Sequence, residues 1–187
     1  MFLIMGLGNP TKKYESTRHN LGFRVLDLLA PNPNEVSGAG LVRWENKYNS
    51  EFLKLDDVIL AKPQTFMNKS GEAVKEILKF YPDAQLVVIH DDLDFPLGSI
   101  KIQKNSSGAG HNGVQNIIEE LGSQDFIRIR LGIDSPARGQ IPSEDYVLQK
   151  FSPDEEITVT QTLEKTKDAV ELIQTQGLEI AQSRYNG

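Results

Sequence analysis

The sequence predicts a single α/β domain whose mixed, mostly parallel sheet is flanked by helices. Two observations support this class. Short apolar runs alternate along the chain with segments of helical periodicity, a rhythm typical of strands that are joined by helices. The chain has 187 residues, of which 39% are hydrophobic and 25% charged, and this length and composition fit one folded domain but not two. We therefore expect one domain over residues 1–187.

The first elements follow from apolar runs and their boundaries. Residues 2–5 form an apolar run that predicts a buried strand. Residues 20–30 have helical periodicity, and the helix ends before Pro31. Its side chains expected to face the core are Phe23, Leu26 and either Leu28 or Leu29. The turn-rich stretch 31–40 predicts a surface loop.

A hairpin, a helix and a buried strand are predicted next. Residues 49–55 and 57–63 flank Asp56 as the two strands of an antiparallel hairpin. Residues 66–81 predict a helix with three side chains directed inward: Val74, Ile77 and Leu78. Residues 86–90 form the most apolar of the predicted strands, which favours a place at the centre of the sheet.

The remaining elements are strands over 100–104 and 127–133, a helix over 112–122 and C-terminal helices over 153–184. Ser152 is a suitable N-cap for the first C-terminal helix, which we expect to end near Gly177. The segment 134–146 is rich in Gly, Pro and Ser and predicts a mobile, lid-like loop.

Composition and charge exclude several classes of function. Cysteine is absent, which excludes disulfide frameworks, thiolate nucleophiles and cysteine-ligated metal sites. The net charge of −6 argues against attraction of the whole molecule to nucleic acid, so RNA binding would need a local basic patch. Neither a secretion signal nor an apolar stretch long enough to cross a membrane is present. We therefore expect a cytoplasmic protein with no membrane partner.

The motif GLGNPT, after the first predicted strand, superficially matches a dinucleotide-binding turn. Gly6 and Gly8 occupy the first two glycine positions, but Thr11 stands at the third. Pro10 suits an irregular turn better than the start of a phosphate-binding helix. We therefore expect a tight turn here and no nucleotide cofactor.

Three histidines, His19, His90 and His111, are the groups best suited to acid or base chemistry near neutral pH. Ligands of an α/β sheet bind at the carboxyl ends of strands, and His19, Asp91 and His111 lie on or just after such ends. We therefore expect them to converge at one cleft, where Asp91 orients His19. His90 ends the most apolar strand, which favours a structural role.

The motif HDDLD leaves two alternatives open. Asp91, Asp92 and Asp94 include enough carboxylates to bind Mg²⁺. Because neighbours in a strand point to opposite faces, at most two of them converge, and a metal site is the weaker interpretation. Asp92 or Asp94 can instead cap a turn at Pro96 and Gly98.

Four asparagines accompany these groups at the ends of predicted strands: Asn9, Asn20, Asn68 and Asn112. An asparagine amide can hold a water molecule and bind a carbonyl group without adding charge. A serine nucleophile is less favoured, because the chain has no GxSxG motif and Ser70 lies inside a predicted helix.

Basic residues are few but grouped: Arg18, Lys101, Lys104, Arg128 and Arg130. Period-two spacing places Arg128 and Arg130 on one face of a strand, either as solvated charges or as a phosphate clamp. Tyr14 and Phe66 are aromatic residues that can stack on bases.

Taken together, several ordered segments resemble the bacterial-type peptidyl-tRNA hydrolase family: GLGNP, Tyr14, TRHNLGF, KPQTFMNKSGEAV, HDDLDFPLG, SGAGHNGVQNIIEELG and FIRIRLGID. The resemblance covers residues 2–134 continuously and the C-terminal part more weakly. It implies a monomer that hydrolyses the ester between a peptide, or an N-blocked amino acid, and the 3′ ribose of tRNA. It implies no metal and no organic cofactor. The implied partner is peptidyl-tRNA, bound through its acceptor stem, 3′ end and peptide.

The resemblance also implies roles for individual residues. His19 matches the general base, Asp91 the carboxylate that orients it, and Asn9 the residue that distinguishes blocked from free aminoacyl-tRNA. The positions that match substrate-binding residues are Tyr14, Phe66, Met67, Asn68, His111 and Asn112.

Two positions depart from the family pattern. Thr11 stands where the family usually has glycine, which affects the shape of the first turn. Gln103 stands where the tRNA clamp is usually basic. The contact with the tRNA phosphate then falls to Lys101, Lys104 or Arg130.

Two other functions are compatible with the same fold: an RNA-binding relative without hydrolase activity, and a hydrolase of small esters. Retention of His19, Asp91 and Asn9 weighs against the RNA-binding relative. Only the small-ester hydrolase would act without tRNA.

Overall fold

Seven strands form one mixed sheet in the computed structural model, which describes residues 1–31 and 43–186. They are β1 (Phe2–Gly6), β2 (Glu45–Lys47), β3 (Ser50–Lys54), β4 (Val58–Pro63), β5 (Gln85–Pro96), β6 (Ile100–Lys104) and β7 (Ile127–Asp134). Their order across the sheet is β2-β3-β4-β1-β5-β7-β6. The three central pairings, β4 with β1, β1 with β5 and β5 with β7, are parallel, and the outer pairings are antiparallel.

The described residues also form six α-helices and three 3₁₀ helices. The α-helices are α1 (Leu21–Leu29), α2 (Ser70–Phe80), α3 (Asn112–Leu121), α4 (Ser143–Tyr146), α5 (Pro153–Gln176) and α6 (Leu178–Tyr185). The 3₁₀ helices are Arg18–Asn20, Met67–Lys69 and Pro136–Arg138. Within this part of the chain, no helix has the length and apolar character needed to cross a membrane.

Side chains of β1 alternate between two hydrophobic cores, one on each face of the sheet. Leu3 and Met5 pack with residues of α2 and α3, whereas Ile4 packs with residues of α1 and α5. All three side chains are fully buried. The sheet is therefore covered on both faces, as the predicted α/β class requires.

The α/β class is confirmed, but some details of the sheet differ from the prediction. The strand predicted over 86–90 is longer, because β5 continues to Pro96. It lies inside the sheet, although β1 takes the middle place. Three of the six pairings are parallel, fewer than in the mostly parallel sheet expected. Sequence patterns miss β2, since all three of its residues are exposed and none is apolar. The predicted loop 31–40 lies, beyond residue 31, outside the described residues.

The buried side of α1 also differs in part from the prediction. Leu26 is fully buried, and of the alternative pair Leu29 packs against the core while Leu28 is exposed. Phe23 is only half-buried. Its ring lies instead against the turn after β1, where a Cβ added to Gly8 would come within 2.7 Å of it.

Helix α1 crosses the sheet at a glycine and lies against strand backbone. A Cβ added at Gly22 would lie 2.3 Å from the backbone nitrogen of Leu7 and 2.5 Å from the carbonyl oxygen of Ile89. No larger residue fits this crossing without a shift of the helix. The close approach places the segment before α1 over the carboxyl ends of β1 and β5.

Backbone strain is expected at Thr11, whose φ of 85° lies in the left-handed region that favours glycine. We expect Thr11→Gly to raise the free energy of unfolding by about 1 kcal/mol, because relief of strain outweighs the greater freedom of glycine in the unfolded chain. Thr11→Ala is the matched control, since it keeps the Cβ and hence the strain. Denaturant titration measures both variants, and equal stability of the two would contradict strain at this position.

Candidate active site

An open pocket lies over the carboxyl-terminal half of β5, between the 3₁₀ helix before α1 and the start of α3. His19, Asp91, His111 and Asn112 all line it. The convergence of His19, Asp91 and His111 that the sequence predicts is therefore present. Ligands of α/β proteins bind at such strand ends.

His19 and Asp91 form the central contact of the pocket. The Nδ1 atom of His19 lies 2.8 Å and 3.0 Å from the two carboxylate oxygens of Asp91. An ionised carboxylate only accepts hydrogen bonds, so Nδ1 carries the proton and donates it. The other ring nitrogen, Nε2, has no partner within the described part of the chain and is the one available to a water molecule. The backbone N–H of His19 donates to the Val147 carbonyl at 2.8 Å, which fixes the ring's position.

Burial and charge shift the pKa values of His19 and Asp91 in opposite directions. Burial lowers the pKa of His19, but the charge of Asp91 and its hydrogen bond raise it by more, so the pKa lies above its usual value. Burial raises the pKa of Asp91, yet the interactions with His19 and His111 outweigh it, and that pKa lies far below its usual value. Asp91, only 1% exposed, therefore stays ionised near neutral pH.

The other two histidines also bond to Asp91. The Nε2 atom of His111 lies 3.1 Å from Asp91 Oδ1. His90 is fully buried, and its Nδ1 lies 2.7 Å from the backbone carbonyl oxygen of Asp91, to which it donates. Burial, followed by the influence of His111 and Arg128, holds the pKa of His90 well below its usual value. His90 is therefore neutral and lies behind the pocket wall, which fits the structural role favoured by the sequence.

Asn9 lies in the turn after β1 and is held by its neighbours. Its backbone N–H donates to Asn20 Oδ1, and Asn20 Nδ2 donates to the Asn9 carbonyl, both at 2.9 Å. Its side-chain Oδ1 accepts from the Met67 N–H at 3.0 Å. Because Oδ1 is occupied, Nδ2 is the free end of the amide, with no partner among residues 1–31 and 43–186. Asn9 therefore presents a hydrogen-bond donor.

The start of α3 packs closely against the segment that carries Met67. A Cβ added at Gly113 would lie 2.5 Å from Met67 Sδ and 3.2 Å from Cε1 of His111. Glycine at this position thus lets α3 bring His111 to the pocket. Met67 itself is buried.

The remaining predicted substrate positions present accessible surface. Asn112 is exposed and lines the same pocket as His19, so the structure brings these two predicted site residues together. Phe66 is 56% exposed, Asn68 is exposed and Tyr14 is half-buried. These three residues do not line that pocket.

The three residues predicted to bind phosphate differ in burial and in ion pairing. Arg130 is buried, and its guanidinium donates to Gln103 Oε1 at 2.8 Å as well as to two carboxylates of β5. Lys104 forms an exposed ion pair of 3.0 Å with Asp125. Lys101 is half-buried and has no ion-pair partner within the described segments. Within the described residues, Lys101 is thus the one of these three cations whose charge is not paired with a carboxylate.

Arg18, the neighbour of His19, anchors the C-terminal part of the chain. Its guanidinium binds both carboxylate oxygens of Glu155, at 2.8 Å and 2.9 Å, and the Lys150 carbonyl at 2.6 Å. Glu155 also accepts from the backbone N–H of Ser152 and completes the capping box of α5, which confirms the predicted N-cap. Arg18 thus has a structural role.

The arrangement also bears on metal binding. The donor atoms of His19, Asp91 and His111 lie within 4.8 Å of one another, a spacing shared by metal sites. Hydrogen bonds among these atoms account for that spacing without an ion. The three HDDLD carboxylates do not meet at one point, because Asp91 bonds to histidines whereas Asp92 and Asp94 both accept from the guanidinium of Arg130, at 2.5 Å and 3.4 Å.

Sequence reasoning missed the part of the site that the 134–146 segment and its neighbour build. Val147 fixes the backbone of His19, and Arg138 and Glu144 line the pocket wall. The composition of the segment predicts a loop, whereas the structure has a 3₁₀ helix at Pro136–Arg138 and α4 there, with Tyr146 fully buried. The composition also contains no signal for which residues face the site.

Comparisons with known proteins identify similar sequences and structures. A family profile described as peptidyl-tRNA hydrolase matches residues 3–187. A peptidyl-tRNA hydrolase of Bdellovibrio bacteriovorus is 43% identical over the whole of both chains. One of Chloroflexus aurantiacus is 42% identical, covering 100% of this chain and 99% of the relative. The crystal structure of peptidyl-tRNA hydrolase from Acinetobacter baumannii, 28% identical, superposes with a TM-score of 0.83 over 100% of this chain and 95% of that one.

The opposing effects on His19 give a prediction for its titration. In the wild type, we expect NMR to report a pKa of His19 above that of a free histidine, because Asp91 outweighs burial. In Asp91→Asn the charge is lost and burial remains, so the pKa should fall below that of a free histidine. Asp94→Asn, a change to an exposed carboxylate of the same pocket, is the matched control and should shift it far less. An unchanged pKa in Asp91→Asn would contradict the assigned contact.

Proposed function

The chain belongs to the peptidyl-tRNA hydrolase family and has its hydrolase activity, and we propose that His19 is the general base of that reaction. The proposal concerns the ester between a peptide and the 3′ ribose of tRNA. The observation that carries it is the buried pair of His19 and Asp91, which leaves Nε2 of His19 free at the pocket.

The reaction needs one water molecule and two proton transfers. Nε2 of His19 takes a proton from water while the water oxygen attacks the ester carbonyl, which forms a tetrahedral oxyanion. The oxyanion collapses, the bond to the ribose 3′ oxygen breaks, and the imidazolium returns the proton to that oxygen. The products are a peptide acid and tRNA with a free 3′ hydroxyl. His19 ends the cycle neutral.

Asp91 supports both halves of this cycle. Its hydrogen bond keeps the proton on Nδ1, so that the basic nitrogen faces the water. Its negative charge stabilises the imidazolium that forms when the water is deprotonated. The exposed amide of Asn112, on the wall of the same pocket, is suited to donate to the developing oxyanion.

The free Nδ2 donor of Asn9 is suited to select peptidyl over aminoacyl esters. A peptide or N-acyl group offers a carbonyl acceptor close to the ester, whereas a free aminoacyl group offers a charged ammonium. An ammonium would leave Nδ2 unpaired, at about 1–3 kcal/mol. We propose that this difference is the basis of discrimination.

Other residues are candidates for contact with the remainder of the substrate. We propose Tyr14, Phe66, Met67 and Asn68, which lie outside the lining of the His19 pocket, as contacts for the 3′ end and peptide, together with Asn112, which lines it. Lys101 is the first candidate for the tRNA phosphate, followed by Lys104 and Arg130, whose charges are shared with carboxylates. The proposed enzyme acts as a monomer in the cytoplasm.

The role of His19 is tested with His19→Ala. We expect kcat on N-acetyl-aminoacyl-tRNA to fall by about 10²- to 10⁴-fold, with little change in KM, because a general base contributes to the transition state and not to binding. Ser143→Ala, a change on the wall of the same pocket, is the control and should stay within about twofold. Full activity of His19→Ala would overturn the assignment.

The same assay separates the alternative functions. Free aminoacyl-tRNA and a simple ester are tested beside N-acetyl-aminoacyl-tRNA. Cleavage of the simple ester at a comparable rate would indicate a small-ester hydrolase, and tRNA binding without cleavage would indicate an RNA-binding relative.

Asn9 is tested with Asn9→Ala and Asn9→Asp. We expect Asn9→Ala to lower the ratio of activity on N-acetyl-aminoacyl-tRNA to that on free aminoacyl-tRNA by about tenfold, because the donor is lost. Asn9→Asp keeps the acceptor for the Met67 N–H but replaces the donor with a carboxylate, and it should lower the ratio further by attracting the ammonium. An unchanged ratio in both variants would show that discrimination lies elsewhere.

A further inference from the structure

All three histidines of the chain bond to one residue, Asp91, and only one of them is assigned to the chemistry. We propose that His111 is a positioning residue, whose ring fixes the Asp91 carboxylate, and not a group that binds substrate. This role rests on the proposed function of His19. It differs from the substrate-binding role that the family resemblance implies.

The first step of the argument is the tautomer of His111. His111 is the N-cap of α3, and its Nδ1 accepts a hydrogen bond from the backbone N–H of Val114 at 3.3 Å. An acceptor at Nδ1 requires the ring proton to sit on Nε2. The helix cap therefore decides which nitrogen of the ring is the donor.

The second step is the partner of that donor. Nε2 lies 3.1 Å from Oδ1 of Asp91, the same oxygen that is 2.8 Å from Nδ1 of His19. One carboxylate oxygen is thus held from two sides by two imidazole rings. This restrains rotation of the carboxylate and hence the direction in which His19 points its free nitrogen.

The third step concerns what His111 has left for a ligand. Both ring nitrogens are occupied within the protein, and its side chain is only 7% exposed. The ring lies between those of His19 and His90, with centroid distances of 4.9 Å and 4.7 Å. A ring so enclosed offers no hydrogen-bonding atom to substrate, whereas its neighbour Asn112 is exposed.

Two substitutions separate the cap from the contact with Asp91. In His111→Asn the side-chain oxygen replaces Nδ1 and keeps the cap, but the side chain is too short to reach Asp91. In His111→Gln the amide nitrogen replaces Nε2 and keeps the donor to Asp91, while the cap is weakened. If His111 served only as a helix cap, His111→Gln would lose more stability and more activity than His111→Asn. The proposal predicts that His111→Asn loses more activity than His111→Gln.

The expected results are a split in kinetic constants and a rescue. His111→Asn should lower kcat on N-acetyl-aminoacyl-tRNA by about tenfold with KM within about twofold of wild type, because positioning acts on the chemical step. His111→Gln should recover kcat to within about threefold of wild type. An increase in KM with unchanged kcat in His111→Asn would overturn the proposal in favour of substrate binding. Equal loss of kcat in both folded variants would also overturn it.

The pH profile of kcat/KM provides a second readout. The titratable and charged groups around His19 are Asp91, Asp92, Asp94, His111, Arg138 and Glu144. Loss of the Nε2 donor leaves Asp91 a stronger partner for His19, which raises the pKa of His19 and moves the acidic limb to higher pH in His111→Asn. His111→Gln should keep the wild-type limb, and an unmoved limb in both variants would count against the proposal.

The tautomer can be read in the wild type, without any variant. Nitrogen NMR of the His111 ring should show a protonated Nε2 and an unprotonated Nδ1, and the opposite tautomer would overturn the proposal whether or not the variants fold. A failure of the proposed function is distinguishable from this outcome, since it would appear as full activity of His19→Ala with the His111 tautomer unchanged.

Discussion

An ionised carboxylate buried within strand β5 is the constraint on which the site depends. Removing a carboxylate from water costs several kcal/mol unless donors replace the lost hydration. Asp91 is 1% exposed, and its donors are imidazole rings from the segment before α1 and from the cap of α3. The close backbone approaches at Gly22 and Gly113 bring those two segments to Asp91. These glycines therefore allow two imidazole donors to reach the buried carboxylate of Asp91.

The fold was largely accessible from sequence because its signals are local. The buried strand β1 and the first half of β5 are continuous apolar runs, and the capping residues of α5, Ser152 and Glu155, are three positions apart in the chain. The edge strand β2 has no such signal, since its three residues are exposed and its pairing with β3 defines it. The burial of α1 was misjudged at Phe23, because a half-buried aromatic covering a glycine turn looks like a core residue in a helical pattern.

The site, like the fold, was predictable from the sequence only in part. Convergence of His19, Asp91 and His111 follows from their positions at strand ends, a rule of topology that the sequence carries. What the sequence could not supply is contact geometry: that the Val147 carbonyl fixes His19, that Asp92 is occupied by Arg130, and that both nitrogens of His111 are used. The contacts of His19 with Val147, of Asp92 with Arg130 and of His111 with Asp91 all join residues far apart in the chain, so no local pattern in the sequence indicates them.

The pairing of Arg18 with Glu155 ties the segment that carries His19 to the last fifth of the polypeptide. The residue before His19 is held by an acidic group more than a hundred positions later, and that same group begins the long helix α5. On a ribosome, the N-terminal strand and His19 emerge early, but their anchor is made only near the end of translation. A chain cut short before residue 155 would therefore have no carboxylate to hold Arg18, and the segment that carries His19 would lose this anchor.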